Sequence, residues 1–341
     1  MTNIAGDTGT SAGILRLANS FCDAKAMLTA VELGLFDVLG AGPASQDDIR
    51  EALRLHGRGL SDWLNLLVAL GLLEREGGRY RNAPGAATYL VRGGQDYLGG
   101  FLLRSNRNLY PAWGRLDEAL RTGKPQSGGD FLEMVEDPGL LRQFADSMDA
   151  LTRVLGPRLI EAYDGWGDYR SVLDVGGCRG YLASRILRSW PNLDGHVFDL
   201  RQMAPLFEEL AAGSGLADRL TFHPGDFFAD PLPSADIVIM GHALHDWAPA
   251  QRELLVHKAF DSVLPGGVLL VYDRMLAEGP AYVENLVISL DMLLVTEGGS
   301  EYTVGELREH ATSAGFDAVE EAPLGDYDTL VVCHKPGEAR R

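Results

Sequence analysis

Ser171 to Ser189 reads SVLDVGGCRGYLASRILRS, and the order of its parts decides the fold. Ser171 to Val175 is a short, mostly apolar run of the kind that forms a buried strand. It passes without a linker into Asp174-Val175-Gly176-Gly177-Cys178-Arg179-Gly180, and a helix is predicted from Tyr181 to Ser189. A glycine-rich turn between strand and helix lets backbone approach a ligand closely at the carboxyl edge of a sheet. Taken alone, the same turn also serves to pack a helix tightly on a strand.

The residues that follow repeat the alternation. Short β-branched or apolar runs fall at Gly195 to Asp199, Leu220 to His223, Ile237 to Gly241 and Val268 to Asp273. A final pair, Phe316 to Glu321 and Thr329 to His334, comes after a helix around Val304 to Ala314. This pattern predicts an α/β domain with a parallel sheet. The second strand ends in Asp199, an acid suited to pairing with two ribose hydroxyls. The third ends in Gly225-Asp226-Phe227-Phe228, where an acid beside aromatic rings suits an adenine. Dinucleotide sites share the first two features, so a nicotinamide cofactor stays open, and the Asp-Phe-Phe element tips the choice toward a mononucleoside-like cofactor.

Upstream, Ile14 to Leu39 carries apolar side chains at helical spacing and predicts two successive helices ended by Gly40 to Pro43. Its apolar face exceeds what one small domain needs, so a two-fold mate is expected to cover it. Ser45 as N-cap, helices Gln46 to Leu53 and Leu60 to Leu70, then Leu72 to Glu76, a Gly77-Gly78 turn and Arg79 to Asn82 form a winged-helix order. From Ser45 to Arg92 seven arginines face six acids, too weak a basic footprint for phosphate neutralisation. Helical patterns continue from about Tyr97 to Arg121 and from Asp137 to Tyr163, separated by a loop from Thr122 to Asp130. The domain boundary is placed near Tyr163 to Asp168.

Over all 341 residues the net charge is −18, which repels nucleic acid and anionic lipid. Cys22, Cys178 and Cys333 show neither a C-x-x-C pair nor zinc spacing, which fits a reducing cytoplasm. Met1 to Ser11 lacks a basic and an apolar leader region, and no apolar run reaches membrane length, so secretion and insertion are disfavoured.

Immediately after the fourth strand, Met240 to Trp247 reads MGHALHDW, at the edge where ligands bind. Histidine titrates near neutral pH and suits a general base, but these residues alone do not choose between His242 and His245.

Together DVGGCRG, VFDL, GDFF, HDW and GGSEYT, in this order and spacing, resemble the small-molecule O-methyltransferases of the caffeate, flavonoid and polyketide-tailoring type, over nearly the whole chain. The resemblance implies a Rossmann-like class I methyltransferase domain, with a seven-stranded mostly parallel sheet, behind an N-terminal α-helical winged-helix dimerisation domain. It implies a homodimer that uses S-adenosyl-L-methionine to methylate a hydroxyl of a small aromatic, phenolic natural-product intermediate. Residues 1–100 would dimerise, 101–165 would link and help form the acceptor pocket, and 166–341 would bind the cofactor. The cofactor residues it implies are Asp174, Gly176, Gly177, Gly180, Asp199, Leu200, Gly225, Asp226, Phe227 and Gly241.

The family's base precedes Asp-Trp, which selects His245, with Asp246 beside it and Asp273 and Glu301 as its orienting acids. Acceptor contacts are expected at Arg104, Asn108, Trp113, Phe144, Met148 and Met292, with Arg107 a second arginine able to clamp a carboxylate. Three positions depart from the pattern. Cys178 replaces a small residue, Gly241 stands where plant-type relatives carry lysine, and Asp273 is shorter than the usual glutamate. Iron held by His245 and Asp246, as in some C-methylating relatives, would need a third ligand at Glu297, which is not the histidine expected there, so no metal is expected. Methylation at carbon, and a catalytically silent regulator, are the alternative functions. The balanced charge of the winged segment and the presence of His245, Asp273 and Glu301 argue against the regulator.

Overall fold

The computed structural model describes residues 8–127, 134–277, 279 and 282–337 and divides the chain into two compact units, Met1–Tyr110 and Pro111–Arg341. The first seven residues, and residues 128–130 of the expected loop from Thr122 to Asp130, lie outside the described residues.

In the first unit Ile14 to Leu39 belongs to three helices rather than two: Ser11–Ala18, Ser20–Leu33 and Leu35–Gly40. The second break falls at Gly34, whose φ of 78° lies in the left-handed region that glycine adopts without steric cost. Apolar spacing continues across both breaks, which is why periodicity alone merges them. Strand β1 (Ala44–Ser45) leads into the helix Gln46–Ala52, and Ser45 caps it as expected, in a reciprocal capping box with Asp48. After the helix Leu60–Ala69, β2 (Leu73–Glu76) and β3 (Arg79–Asn82) form the hairpin, and β1 adds to β3 to give the antiparallel order β1-β3-β2. Leu35, Phe36, Ile49, Leu64, Leu67 and Tyr80 make its core, all buried. This is the predicted winged-helix arrangement. Gly99–Arg104 is α-helical and runs into a π turn, Ser105–Leu109.

The second unit is built on a seven-stranded sheet. Its strands are β4 (Ser171–Val175), β5 (Asp194–Asp199), β6 (Leu220–Pro224), β7 (Ala235–Gly241), β8 (Val263–Asp273), β9 (Ala318–Leu324) and β10 (Asp328–His334). The order is β6-β5-β4-β7-β8-β10-β9, parallel from β6 to β8, with β10 antiparallel to both its neighbours. The parallel register sets the ends of β4, β5, β6 and β7 along one carboxyl edge, where the motifs after each strand collect.

Each face of the sheet is covered. On one, Val172, Val197, Ile237, Ile239 and Leu270 pack with Leu182, Ile186 and Leu187 of the helix Tyr181–Ser189 and with Leu155 and Leu159 of the long helix Pro138–Ala162. On the other, Leu173, Val238, Leu269 and Val271 pack with Leu255 and Val256 of the helix Pro249–Ser262 and Leu307 of Val304–Ala314. No helix among the described residues is long and apolar enough to cross a membrane.

Ile186 is completely buried in the first of these layers. Ile186→Ala leaves a cavity under β4 and β5 and is expected to lower unfolding stability by about 2–5 kcal/mol. Urea unfolding followed by circular dichroism measures it, and an unchanged midpoint would contradict this packing.

Candidate active site

The glycine turn is closed by Asp199. Its Oδ2 accepts from the Cys178 N–H at 2.7 Å and its Oδ1 from the Leu200 N–H at 2.7 Å. Burial raises the Asp199 pKa to about 6, against the pull of those two donors. Asp174 is only 4% exposed, and its Oδ2 has no hydrogen-bond partner among the described residues. Burial, with the neighbouring Asp199 charge, raises its pKa to about 7. A Cβ at Gly177 would lie 2.6 Å from the Asp174 carboxyl, and one at Gly180, φ 83°, would lie 3.0 Å from Val197. Both positions require glycine.

Cys178 also takes a left-handed φ, 53°, although it is not glycine. Its thiol sits in an apolar cluster with Leu141, Ala145, Met203 and Leu206, and burial pushes its pKa up. The departure at 178 is therefore filled by packing, and the amide remains in the turn.

After β6, Asp226 folds back on its own segment: Oδ1 accepts from the Phe228 N–H at 2.8 Å, and its own N–H donates to Asp230 Oδ2 at 2.9 Å. Phe227 and Phe228 meet Trp247 edge to face, with ring centres 5.7 and 4.6 Å away. This aromatic corner joins the Asp-Phe-Phe element to the His-Asp-Trp element. At Gly241 any Cβ would run into the Tyr272 ring, so a lysine has no room there while Tyr272 holds this position.

His245 lies on a tight turn, Leu244–Asp246, and is 6% exposed. Its Nδ1 is 2.6 Å from Glu301 Oε1 and 3.5 Å from Asp273 Oδ1, while Nε2 is 3.8 Å from Asp246 Oδ1. Asp273 also accepts from the Tyr302 hydroxyl at 2.5 Å. Burial disfavours a charged imidazole, but Asp273, Glu301 and Asp246 together raise its pKa to about 10. Burial likewise raises Asp273, to about 7, although His245 pulls the other way. An Nδ1–H donated to Glu301 leaves Nε2 as the atom that exchanges a proton.

The two segments must lie very close for this contact. A Cβ at Gly299 would be 2.6 Å from the His245 carbonyl, and one at Gly298 would be 2.9 Å from the Ala248 Cβ. The Ser300 N–H donates to that same His245 carbonyl at 2.9 Å. Arg252 donates to the Ser300 carbonyl at 3.0 Å and lies over the Tyr302 ring.

His242, like Cys178, takes a left-handed φ although it is not glycine, at 48°. Its Nε2 is 2.8 Å from Asp328 Oδ1, and Arg274 holds the other oxygen of Asp328 at 3.1 Å. Among the described residues, His242, His245 and Asp273 come close enough to share a metal ion, whereas Glu297 is exposed and outside that group.

Of the expected acceptor residues, Trp113 donates from Nε1 to Asp291 Oδ1 at 2.5 Å, next to buried Met292 on the helix Val283–Val295. Phe144 and Met148 are half-buried on the helix Pro138–Ala162, against the Cys178 cluster. Arg104 and Asn108 belong to the first unit. So does Arg107, whose guanidinium is engaged by Glu32 at 2.6 Å. Sequence reasoning missed Tyr302, Arg252, Asp328, Arg274 and Tyr272. Tyr302 adjoins Glu301 in the motif already noted, but nothing local marks the other four.

Comparison with known proteins gives a family model described as the O-methyltransferase domain, matching residues 113–317, and one described as the O-methyltransferase dimerisation domain, matching residues 15–92. The chain is 42% identical to the tetracenomycin polyketide synthesis 8-O-methyl transferase TcmO of Streptomyces glaucescens, covering 95% of this chain and 96% of that one. It is 40% identical to the N,N-dimethyltransferase OxyT of Streptomyces rimosus, with the same coverage, 95% and 96%. The crystal structure of human N-acetylserotonin methyltransferase in complex with S-adenosylmethionine superposes with a TM-score of 0.88 at 28% identity, over 97% of this chain and 99% of that one.

Glu301→Gln removes one of the anions that raise His245. The NMR titration of the His245 ring is expected to move down by about 1–3 units. A midpoint that stays put would show that Glu301 does not set the charge of this imidazole.

Proposed function

The chain belongs to the S-adenosylmethionine-dependent O-methyltransferases that carry a dimerisation domain, and from that premise we propose that it methylates a phenolic hydroxyl of a small aromatic natural-product intermediate, with His245 as general base. The observation that carries this reading is the 2.6 Å contact between His245 Nδ1 and Glu301, with Asp273 3.5 Å from the same nitrogen.

The cofactor is S-adenosyl-L-methionine. When bound, it supplies an electrophilic methyl group on a sulfonium. The residues at the sheet edge fit such a cation-bearing nucleoside: a turn with no space for side chains at Gly177 and Gly180, the Asp199 carboxylate, and a buried Asp174 oxygen with no partner among the described residues. We assign Asp174, Gly176, Gly177, Gly180, Asp199, Leu200, Gly225, Asp226 and Phe227 to holding it, with Gly241 contributing backbone alone.

The chain's own task is to present an oxyanion in line with the methyl group. With two acids holding His245 as imidazolium, a phenolate can bind beside it. Equivalently, the ring loses its Nε2 proton and takes one back from a neutral phenol. Both routes carry the same number of protons into the transition state, and both leave Nε2 protonated. Asp246 lies beside Nε2, and Asp273 and Glu301 stabilise the charge. Within the second unit, Trp113, Phe144, Met148 and Met292 are assigned to the acceptor. The resemblance to a polyketide O-methyltransferase supports a phenolic polyketide as the acceptor class.

A second reading, methylation at nitrogen, is favoured by the comparable identity to an N,N-dimethyltransferase. An amine must also lose a proton, so His245 would serve unchanged. By role, residues 1–100 dimerise, 101–165 bridge to the acceptor site and 166–341 bind the cofactor. The match of residues 15–92 to a dimerisation domain supports a homodimer. So do the exposed Ile14, Leu15, Leu17 and Phe21, and a groove of about 480 Å³ beside Phe21, Leu33 and Trp63. Cys22, Cys178 and Cys333 are free thiols.

His245→Ala is expected to bind S-adenosylhomocysteine as the wild type does by calorimetry, while turnover of a phenolic acceptor falls about 10²–10⁴-fold. Retained turnover would exclude His245 as the base, and the NMR shift of the new methyl group tells oxygen from nitrogen. In light scattering the protein is expected at the mass of two chains and Phe21→Glu at a lower mass. A wild-type monomer would contradict the dimer.

A further inference from the structure

We propose that Arg179 is a positioning residue that latches the cofactor turn to the helix Pro138–Ala162, so that occupation of the turn and the position of the acceptor helix are coupled. The proposal rests on the glycine turn being the seat of the cofactor.

The turn needs glycines at 176, 177 and 180, but its two remaining side chains both grip one helix. Arg179 donates from Nε and Nη2 to Asp149 Oδ2, at 2.9 and 2.6 Å, and from Nη2 to Asp146 Oδ1 at 2.9 Å. The guanidinium side chain is 15% exposed and that of Asp149 4%. The neighbouring Cys178 thiol packs against Leu141 and Ala145 of the same helix. A buried charge pair tolerates little displacement, because separating its members leaves both charges desolvated and unpaired.

A continuous chain of short contacts follows. The Asp199 carboxylate, assigned to the cofactor ribose, accepts from the Cys178 N–H at 2.7 Å. Cys178 adjoins Arg179, and Arg179 holds Asp149 next to Met148, on the helix that also carries Phe144. The far half of that helix is fixed independently by Leu155 and Leu159 in the sheet core. The half with the acceptor residues is held by the turn and by Met203 and Leu206, with the exposed Arg142–Glu209 pair as a further surface tie. Whatever orders the turn therefore orders that half of the helix, and by linkage an acceptor lodged on the helix tightens the hold on the cofactor.

Hydrogen exchange of the full-length protein with and without S-adenosylhomocysteine tests this. In the wild type the ligand is expected to slow exchange about fivefold or more both at residues 174–180 and along 140–152. In Arg179→Gln the protection at 174–180 should persist while that along 140–152 disappears. Asp149→Asn, which keeps the side-chain shape, should reproduce the loss if Arg179→Gln folds poorly. Helix protection that survives both substitutions overturns the coupling, as does a wild type protected at the turn alone. A wild type protected in neither segment overturns the assignment of the turn to the cofactor, and the coupling with it.

Discussion

The imidazole of His245, buried between Glu301 and Asp273, dictates how the loops of the second unit must pack. His245, Glu301 and Asp273 are each under 10% exposed, and such charges survive burial only when paired and hydrogen-bonded at close range. The pairing brings the segment 298–303 against the turn 244–248, an approach that only glycine at 298 and 299 allows. The Tyr302 hydroxyl restrains Asp273, and Arg252 pins Ser300. The glycines, the tyrosine and the arginine are thus consequences of holding one histidine in one orientation.

The parallel register places this cluster beside the cofactor edge. Gly241 of β7 is paired with Tyr272 of β8, next to Asp273, so the turn carrying His242 and His245 leaves the sheet beside one of its acids. Asp174, Asp199, Asp273, Glu301 and Asp328 gather at the sheet's edge, with His245 and Arg274 among them. An acid-rich, poorly solvated edge favours a cationic ligand and resists a polyanion, in keeping with a chain of net charge −18.

Much of this was legible before any coordinates. Tyr181–Ser189 and Val304–Ala314 form the predicted helices residue for residue, because a left-handed glycine before the first, and a threonine cap and terminal glycine on the second, mark their ends. Strands were readable because apolar runs bounded by turns have few other uses in a sheet buried on both faces. The helix break at Gly34 was hidden by continuous apolar spacing. Pairings between distant segments were hidden too. Asp328 reaches His242 only because β10 inserts antiparallel beside β8, and Tyr272 covers Gly241 only through that strand register. The motif showed that a lysine was missing at 241, and the fold shows the aromatic ring in its place.

The most direct measurement is the pH dependence of kcat/KM for the wild type, with a phenolic acceptor that titrates near pH 10. With His245 held as imidazolium, its pKa raised to about 10, the proton that must be lost is still bound at neutral pH. The rate constant should therefore climb about tenfold per unit from pH 7 toward 10. A plateau above pH 7 would mean an imidazole of ordinary basicity and would contradict a catalytic histidine governed by Glu301 and Asp273.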